Sequence, residues 1–179
     1  MERLQIGVIG SAGPEEYSKA KPDSKAYFFA EEIGKIIALR NAILICGGKG
    51  GIMEAACRGA KSENGITVGV VSGNSRGTCN PYVDVEVVSG AINCAEESLI
   101  ITMSDALIIL GGGAGTLQEI ATAYRNNKPL VTIDSIKGWG NKLANSFLDY
   151  REITKIESVK TAEEAVEWAI KKGSKSIKR

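Results

Sequence analysis

The amino-acid sequence predicts an α/β domain built on a doubly wound, mainly parallel sheet with helices on both faces. Three observations lead there. Short, continuous apolar runs rich in Ile and Val fill residues 4–10, 42–46, 66–71, 106–110 and 130–133, the pattern of strands buried on both faces. Helix-period apolar stripes lie between them, and glycine-rich turns follow several of the runs. With 179 residues, 44% of them hydrophobic and 24% charged, the chain can bury one sizeable core, and neither disorder nor a fibrous repeat fits it.

Taken in order, the run at 4–10 is followed by a stripe of Ala26, Phe29, Ala30, Ile33, Ile36 and Ile37, which predicts a helix over 23–40 with Asp23, just after Pro22, as its N-cap. A weaker strand at 83–88 alternates Asp84 and Glu86 with valines and belongs at an edge or on a solvated face. Leu117, Ile120, Ala121 and Tyr124 form a second stripe. Ala162, Ala165, Val166, Ala169 and Ile170 form a third, opened by Thr161 with Glu164 in the capping-box position. Residues 134–140 read as irregular. No internal repeat appears, so a single domain over 1–172 is expected, with 173–179 a basic polar tail and fraying from Lys171 onward.

Composition narrows the chemistry. The formal net charge of +1 lacks the basic excess of a nucleic-acid clamp, so no nucleic-acid partner is expected. The chain has no histidine, which removes the usual neutral-pH acid/base group, Ser-His-Asp and Cys-His nucleophile systems and most zinc sites. Cys46, Cys57, Cys79 and Cys94 form no C-x-x-C pair and read as reduced thiols. The residues offer no direct metal site, so any metal would arrive attached to its ligand. The first apolar run is too short for a signal or membrane span, so no membrane partner and a cytoplasmic location are expected.

Two glycine clusters each follow a predicted strand and precede a helix: Gly47-Gly48-Lys49-Gly50-Gly51, and Gly111-Gly112-Gly113-Ala114-Gly115-Thr116. Glycine lets the backbone approach a ligand closely, and a helix N-terminus supplies free N–H groups at a positive dipole end, so together they suit a phosphate. A polar turn at Gly10-Ser11 can add N–H groups and a hydroxyl at the same sheet edge. Neither cluster matches the dinucleotide fingerprint or the P-loop pattern, so NAD binding and ATP hydrolysis are not supported. The alternative for either cluster alone is a tight strand-to-helix turn.

These residues carry a resemblance. Gly47 to Ala56 with Gly59-Ala60, then Gly69-Val70-Val71, resembles the first signature of the superfamily that includes molybdenum-cofactor carrier proteins and LOG-type cytokinin-activating phosphoribohydrolases. Asp105 to Glu119 resembles its second signature, P-G-G-x-G-T-x-x-E, and the resemblance spans roughly residues 6–133. It implies a Rossmann-like fold, and homo-oligomers (dimer or tetramer) in the manner of relatives. Some relatives carry the label lysine decarboxylase, but nothing here points to a pyridoxal-phosphate site.

LOG-type enzymes cleave base from ribose 5-phosphate in a nucleoside monophosphate, and the resemblance implies an Arg in the helix before the second signature together with that signature's last Glu. Glu119 matches the Glu; the Arg position falls on Glu96, which reverses the charge. Gly111 stands where the hydrolases carry proline, as in the carrier branch. Two readings stay open. One is a carrier or binding protein for a phosphorylated nucleotide-like or pterin-like molecule, with molybdenum cofactor or a nucleoside monophosphate as ligand. The other is a phosphoribohydrolase in which Glu119 is the general base or stabilises a ribosyl cation. An oligomeric ligand sensor is a third alternative.

The remaining assignments follow from position. Thr116 reads as a helix N-cap whose hydroxyl touches the ligand. Lys49 is either a phosphate contact or a solvated loop lysine. Ser72 and Arg76 follow the third run at the same edge, and Arg76 is the candidate for the cation that Glu96 does not supply. Tyr17, Tyr27 and Tyr124 read as packing residues with solvated hydroxyls, and Trp139 as a loop anchor or a ring-stacking group.

Overall fold

A computed structural model describes residues 3–13, 24–90 and 95–176. In chain order the elements are β1 (Gln5–Gly10), α1 (Ser24–Leu39), β2 (Ile43–Cys46), α2 (Ile52–Ser62), β3 (Ile66–Val71), β4 (Val85–Val88), α3 (Ala95–Met103), β5 (Ala106–Leu110), α4 (Ala114–Arg125), β6 (Leu130–Ile133), α5 (Trp139–Lys142), β7 (Ile156–Val159) and α6 (Ala162–Ser176). The seven strands make one sheet in the order β4-β3-β2-β1-β5-β6-β7, and every pairing between them is parallel.

The apolar runs are continuous because both faces of the sheet are covered. Ile6, Val8, Leu44, Ile108 and Val131 pack against α1, α2 and α6 on one face. Ile9, Ile45, Val70, Leu107 and Ile109 pack with α3, α4 and Tyr124 on the other. Each such aliphatic side chain, buried completely, stabilises the fold by roughly 1.5–3 kcal/mol. Helices α1 and α2 cross at two glycines: a Cβ on Gly34 would run into the Ala56 carbonyl, and one on Gly59 into the Glu31 carbonyl. That close approach lets the α1–α2 pair lie flat over β1 and β2.

The five main strands and the edge position of β4 follow the sequence pattern, and the Thr161–Glu164 capping box forms: Glu164 N–H donates to Thr161 Oγ1 at 3.2 Å while Thr161 N–H donates to Glu164 Oε2 at 3.3 Å. Three local readings are corrected. Strand β7 lies in a stretch with no predicted strand; it is a short edge strand with only Ile156 fully buried, so its sequence carries little apolar signal. The segment read as irregular ends in the first two residues of the short helix α5, Trp139 and Gly140. The tail expected to fray from Lys171 is helical through Ser176, where Gly173 packs against Leu4 and Asp105. Tyr124 also differs in detail: its ring is buried, but its hydroxyl donates to Asp149 Oδ1 at 2.9 Å and accepts from Ile153 N–H at 3.1 Å instead of meeting solvent. Trp139 opens α5, half-buried against the second core cluster, with Lys142 Nζ 4.6 Å from its ring centroid. The expected N-cap Asp23, Tyr17 and Cys94 lie outside the described residues. No helix among the described residues is long and apolar enough to cross a membrane.

Candidate functional site

The strand order reverses at β1: the chain builds outward through β2, β3 and β4 on one side, then returns to place β5 on the other. In a doubly wound sheet the loops beyond the carboxyl ends of these two strands diverge and leave a crevice. A cavity of about 300 Å³ lies there, within the range of small-molecule sites. Its lining comes from four segments: Gly10, Ser11 and Ala12 after β1; Gly47, Lys49 and Met53 around the β2–α2 turn; Glu96, Glu97 and Ile100 on α3; and Gly113, Ala114, Gly115, Thr116 and Glu119 on the β5–α4 turn.

The two glycine turns meet this cavity differently. In the first, Gly48 has φ +65, and a Cβ there would lie 2.6 Å from Cys79 Sγ; Gly51 abuts the backbone of Ala12 and Gly13. Asn80 Nδ2 donates to the carbonyls of Gly48 and Lys49, at 3.1 and 2.9 Å. The first N–H of α2, from Ile52, is already taken by the Ser11 carbonyl at 3.0 Å. Gly48, Gly50 and Gly51 therefore shape the turn, and Gly47 and Lys49 are the members that reach the cavity. Beneath it Cys46 and Cys57 are buried with their sulfurs 3.5 Å apart, and Cys46, Cys57 and Cys79 are free thiols.

In the second turn Gly111 and Gly112 do the packing. A Cβ on Gly111 would sit 2.6 Å from the Lys137 carbonyl, and Gly112, at φ +91, lies over the Thr116 side chain. From Gly113 onward the turn is open: nothing lies within 4 Å of a Cβ built on Gly113. Gly113, not Thr116, is the N-cap of α4, with φ −96, ψ −151 and no side-chain cap, and Thr116 is a buried residue in the first helical turn. The helix starts earlier than a Ser/Thr-cap reading suggests because Ala114 and Gly115 are accommodated in the first turn. The first hydrogen bond of α4 runs from Leu117 N–H to the Gly113 carbonyl, so the N–H groups of Ala114, Gly115 and Thr116 precede the ladder, and all three residues line the cavity.

Beside these N–H groups the lining is acidic: Glu97 Oε1 lies 3.9 Å from a Cβ built on Gly115. Glu96 stands in the cavity lining, at the position to which the resemblance assigns an Arg, and Glu97 beside it is a lining residue the sequence reading gave no role. Its signal was its place next to Glu96 in the first turn of α3. Glu96 Oε2 and Glu97 Oε2 are buried without a hydrogen-bond partner. Burial, with the neighbouring charge of Glu97, pushes the Glu119 carboxyl up to about 8. Burial and then Glu96 raise Glu97 as well, against the opposing pull of a Gln118 hydrogen bond and Lys49. Lys49 is the one basic side chain among the lining residues. Ser72 and Arg76 do not line this cavity: Arg76 is exposed on the segment after β3, where the next N–H groups, of Gly77 and Thr78, donate to Glu86 at 2.7 and 3.0 Å. No group of three or more His, Cys, Asp or Glu among the described residues is arranged to hold a metal ion.

Comparison with known proteins gives this arrangement its family. The model of the SLOG cluster4 family matches residues 3–166, which is most of the chain and all of the site. The chain belongs to the SLOG cluster4 family. A protein of Archaeoglobus fulgidus is 36% identical to this SLOG cluster4 chain over 133 residues, covering 74% of it and 82% of the relative. The cytokinin riboside 5′-monophosphate phosphoribohydrolase of Mycobacterium tuberculosis is 29% identical over 147 residues, covering 76% of each chain. Among solved structures, the molybdenum cofactor carrier protein of Chlamydomonas reinhardtii superposes with a TM-score of 0.78 at 27% identity, covering 99% of this chain and 100% of its own. The superfamily indicated by the two signatures and the doubly wound α/β fold are thereby shown, and the relatives include both a cofactor carrier and a hydrolase.

Proposed function

We propose that this chain is a binding or carrier protein for a phosphorylated, nucleotide-like or pterin-like small molecule, of the kind carried by its molybdenum-cofactor-binding relatives. The observation that carries this reading is the uncapped N-terminus of α4, whose Ala114, Gly115 and Thr116 N–H groups precede the helical ladder at a cavity on the sheet's switch point. A phosphate seated there gains those N–H donors and the positive end of a twelve-residue helix. Gly10, Ser11 and Gly47 form the facing rim, and Lys49 adds a point charge. Glu96 stands where the resemblance assigns an arginine to the hydrolases and often to the carrier branch too, so the preference for binding over turnover rests on the start of α4 and not on Glu96. Molybdenum cofactor fits this class of ligand, with its metal bound through the cofactor itself.

The second reading, a nucleoside 5′-monophosphate phosphoribohydrolase, draws on Glu119 and on the hydrolase relative. With its carboxyl at about 8, Glu119 is neutral at pH 7, which suits a proton donor to a departing base better than a carboxylate that stabilises a ribosyl cation. The test is chromatographic detection of free base after incubation with a panel of nucleoside 5′-monophosphates, with Glu119→Gln as the blank. The binding reading predicts no base from either protein and retention of ligand by both. Base released by the native chain alone would establish the hydrolase. A homo-oligomer, dimer or tetramer, is part of the same proposal and is read by light scattering; a monomer at micromolar concentration removes it.

A further inference from the structure

A second concavity lies at the other end of the sheet. It holds about 380 Å³ and forms where the amino ends of β6 and β7 meet α6: Pro129 leads into β6, and Thr154 and Lys155 lead into β7. Because every strand is parallel, this is the end opposite the carboxyl ends that carry the candidate site. Trp168, Lys172 and Lys175 recur at helical spacing along α6 and line the concavity together, and Lys155 lines it from the approach to β7.

The charge here is left over from the fold. The glutamates of α6 are committed elsewhere: Glu163 and Glu167 pair with Arg40 on α1, and Glu164 closes the capping box. Glu157, the single acidic lining residue, lies 3.8 Å from Lys155. Among the described residues Lys172 and Lys175 have no carboxylate partner. Lys172 Nζ stands 5.4 Å from the Trp168 ring centroid, an attraction that holds the ammonium in place without neutralising it. Lys175, in the last turn of α6, meets a helix dipole end worth only about half a charge. Roughly two positive charges therefore border a concavity that also offers the Asn127 amide and the Thr154 hydroxyl.

We propose that this concavity is a second ligand site, which takes a compact phosphorylated anion on Lys172 and Lys175, with Lys155, Asn127 and Thr154 at its rim. A phosphoryl group carries about −1.5 to −2 at pH 7, which matches that charge. Separate ammonium groups from a helix and the approach to a strand suit a tetrahedral set of oxygens. A planar carboxylate is matched by a guanidinium fork, and no arginine lines the concavity. The site shares no residue with the cavity at the switch point, so it stands or falls independently of the binding reading above.

The chain has two tryptophans, so in a Trp139→Phe background the emission reports Trp168 alone. The experiment titrates this full chain at pH 7 and constant ionic strength with pyrophosphate, inorganic phosphate and succinate. Lys172→Gln/Lys175→Gln and Gly113→Asp are made in the same background; both lysines are exposed, so the fold should survive, and thermal melting checks it. The expected result is a saturable change in emission with pyrophosphate, phosphate or both, at least about tenfold tighter than with succinate. The tighter of the two phosphates tells how many phosphoryl groups the site takes. The lysine variant weakens that binding at least about tenfold, since each lysine supplies a charge-assisted contact, and Gly113→Asp leaves it unchanged. No saturable change, an equal response to succinate, or a response that survives in the folded lysine variant overturns the proposal. A response lost in Gly113→Asp and kept in the lysine variant also overturns it, by placing the anion at the start of α4.

Discussion

The two glycine turns of this protein look interchangeable in sequence, and the structure gives them different jobs. In the β2–α2 turn, Gly48 and Gly51 are closed in by Cys79 and by the backbone of Ala12 and Gly13, Asn80 ties down two carbonyls, and the Ser11 carbonyl takes the first N–H of α2. In the β5–α4 turn the same kind of packing stops at Gly112, and Gly113 to Thr116 present an uncapped helix start to the cavity. A glycine-rich turn before a helix binds an anion only when its N–H groups remain unspent. Here one turn spends part of that capacity on the fold, and the other leaves the N–H groups of Ala114, Gly115 and Thr116 ahead of the helical ladder, which is the feature the proposed binding role rests on.

The strongest way to break this comparison is through the packed turn. Gly48→Val puts a β-branched side chain at φ +65 against Cys79 Sγ and should destabilise the fold by about 2–4 kcal/mol, read as a lower urea midpoint. A variant as stable as the native chain would show that the turn is looser than described.

Glu119 gives a smaller effect that depends on pH. A carboxyl raised from an ordinary value of 4.5 to about 8 in the folded state binds a proton that the unfolded chain has released. Its contribution is fully present below about pH 4.5 and is lost as pH rises through about 8. Glu119→Gln removes that loss, so the variant should gain about 1–3 kcal/mol relative to the native chain between pH 6 and 9, a range discounted for its partial exposure. Parallel pH–stability curves for the two proteins would show that the carboxyl is not perturbed.

Lys49 sharpens the contrast at the low end. It is exposed and belongs to the packed turn, so Lys49→Ala should leave the melting temperature unchanged and weaken binding of a nucleoside monophosphate by about threefold to tenfold, with the difference shrinking in 0.5 M salt. A larger, salt-independent loss would move the phosphate toward the first turn.

How far the sequence alone reaches follows the same division. The central strands are legible because burial on both faces leaves unbroken apolar runs, whereas β7, with only Ile156 fully buried, resembles a loop. Spacing from the second signature marks Glu96 only as the position of the family's arginine, and the structure puts it in the cavity lining together with Gly113, Ala114, Gly115 and Glu119, which the signature itself points to. What the chain does not display is which glycines are spent on packing. That depends on Cys79, Ala12 and the 136–138 backbone, which are distant in sequence or separated by a turn. Thr116 resembles a cap for a local reason: a hydroxyl residue after a glycine run has the sequence signature of an N-cap, but α4 begins at Ala114 and buries that side chain. Arg76, adjacent to the third run in sequence, follows its segment toward Glu86 on the edge strand and away from the cavity.

The central claim, that the open start of α4 holds the ligand's phosphate, is tested most directly by giving that helix a cap of its own. Gly113→Asp supplies a side-chain acceptor for the N–H groups of the first turn and a negative charge where the phosphate would sit. Titration of the native and Gly113→Asp proteins with GMP, alongside thermal melts, should show a variant that is equally or slightly more stable, by a few tenths of a kcal/mol, and binds at least about tenfold more weakly. Equal affinity in the two proteins, with the fold intact, would place the phosphate elsewhere and contradict the account.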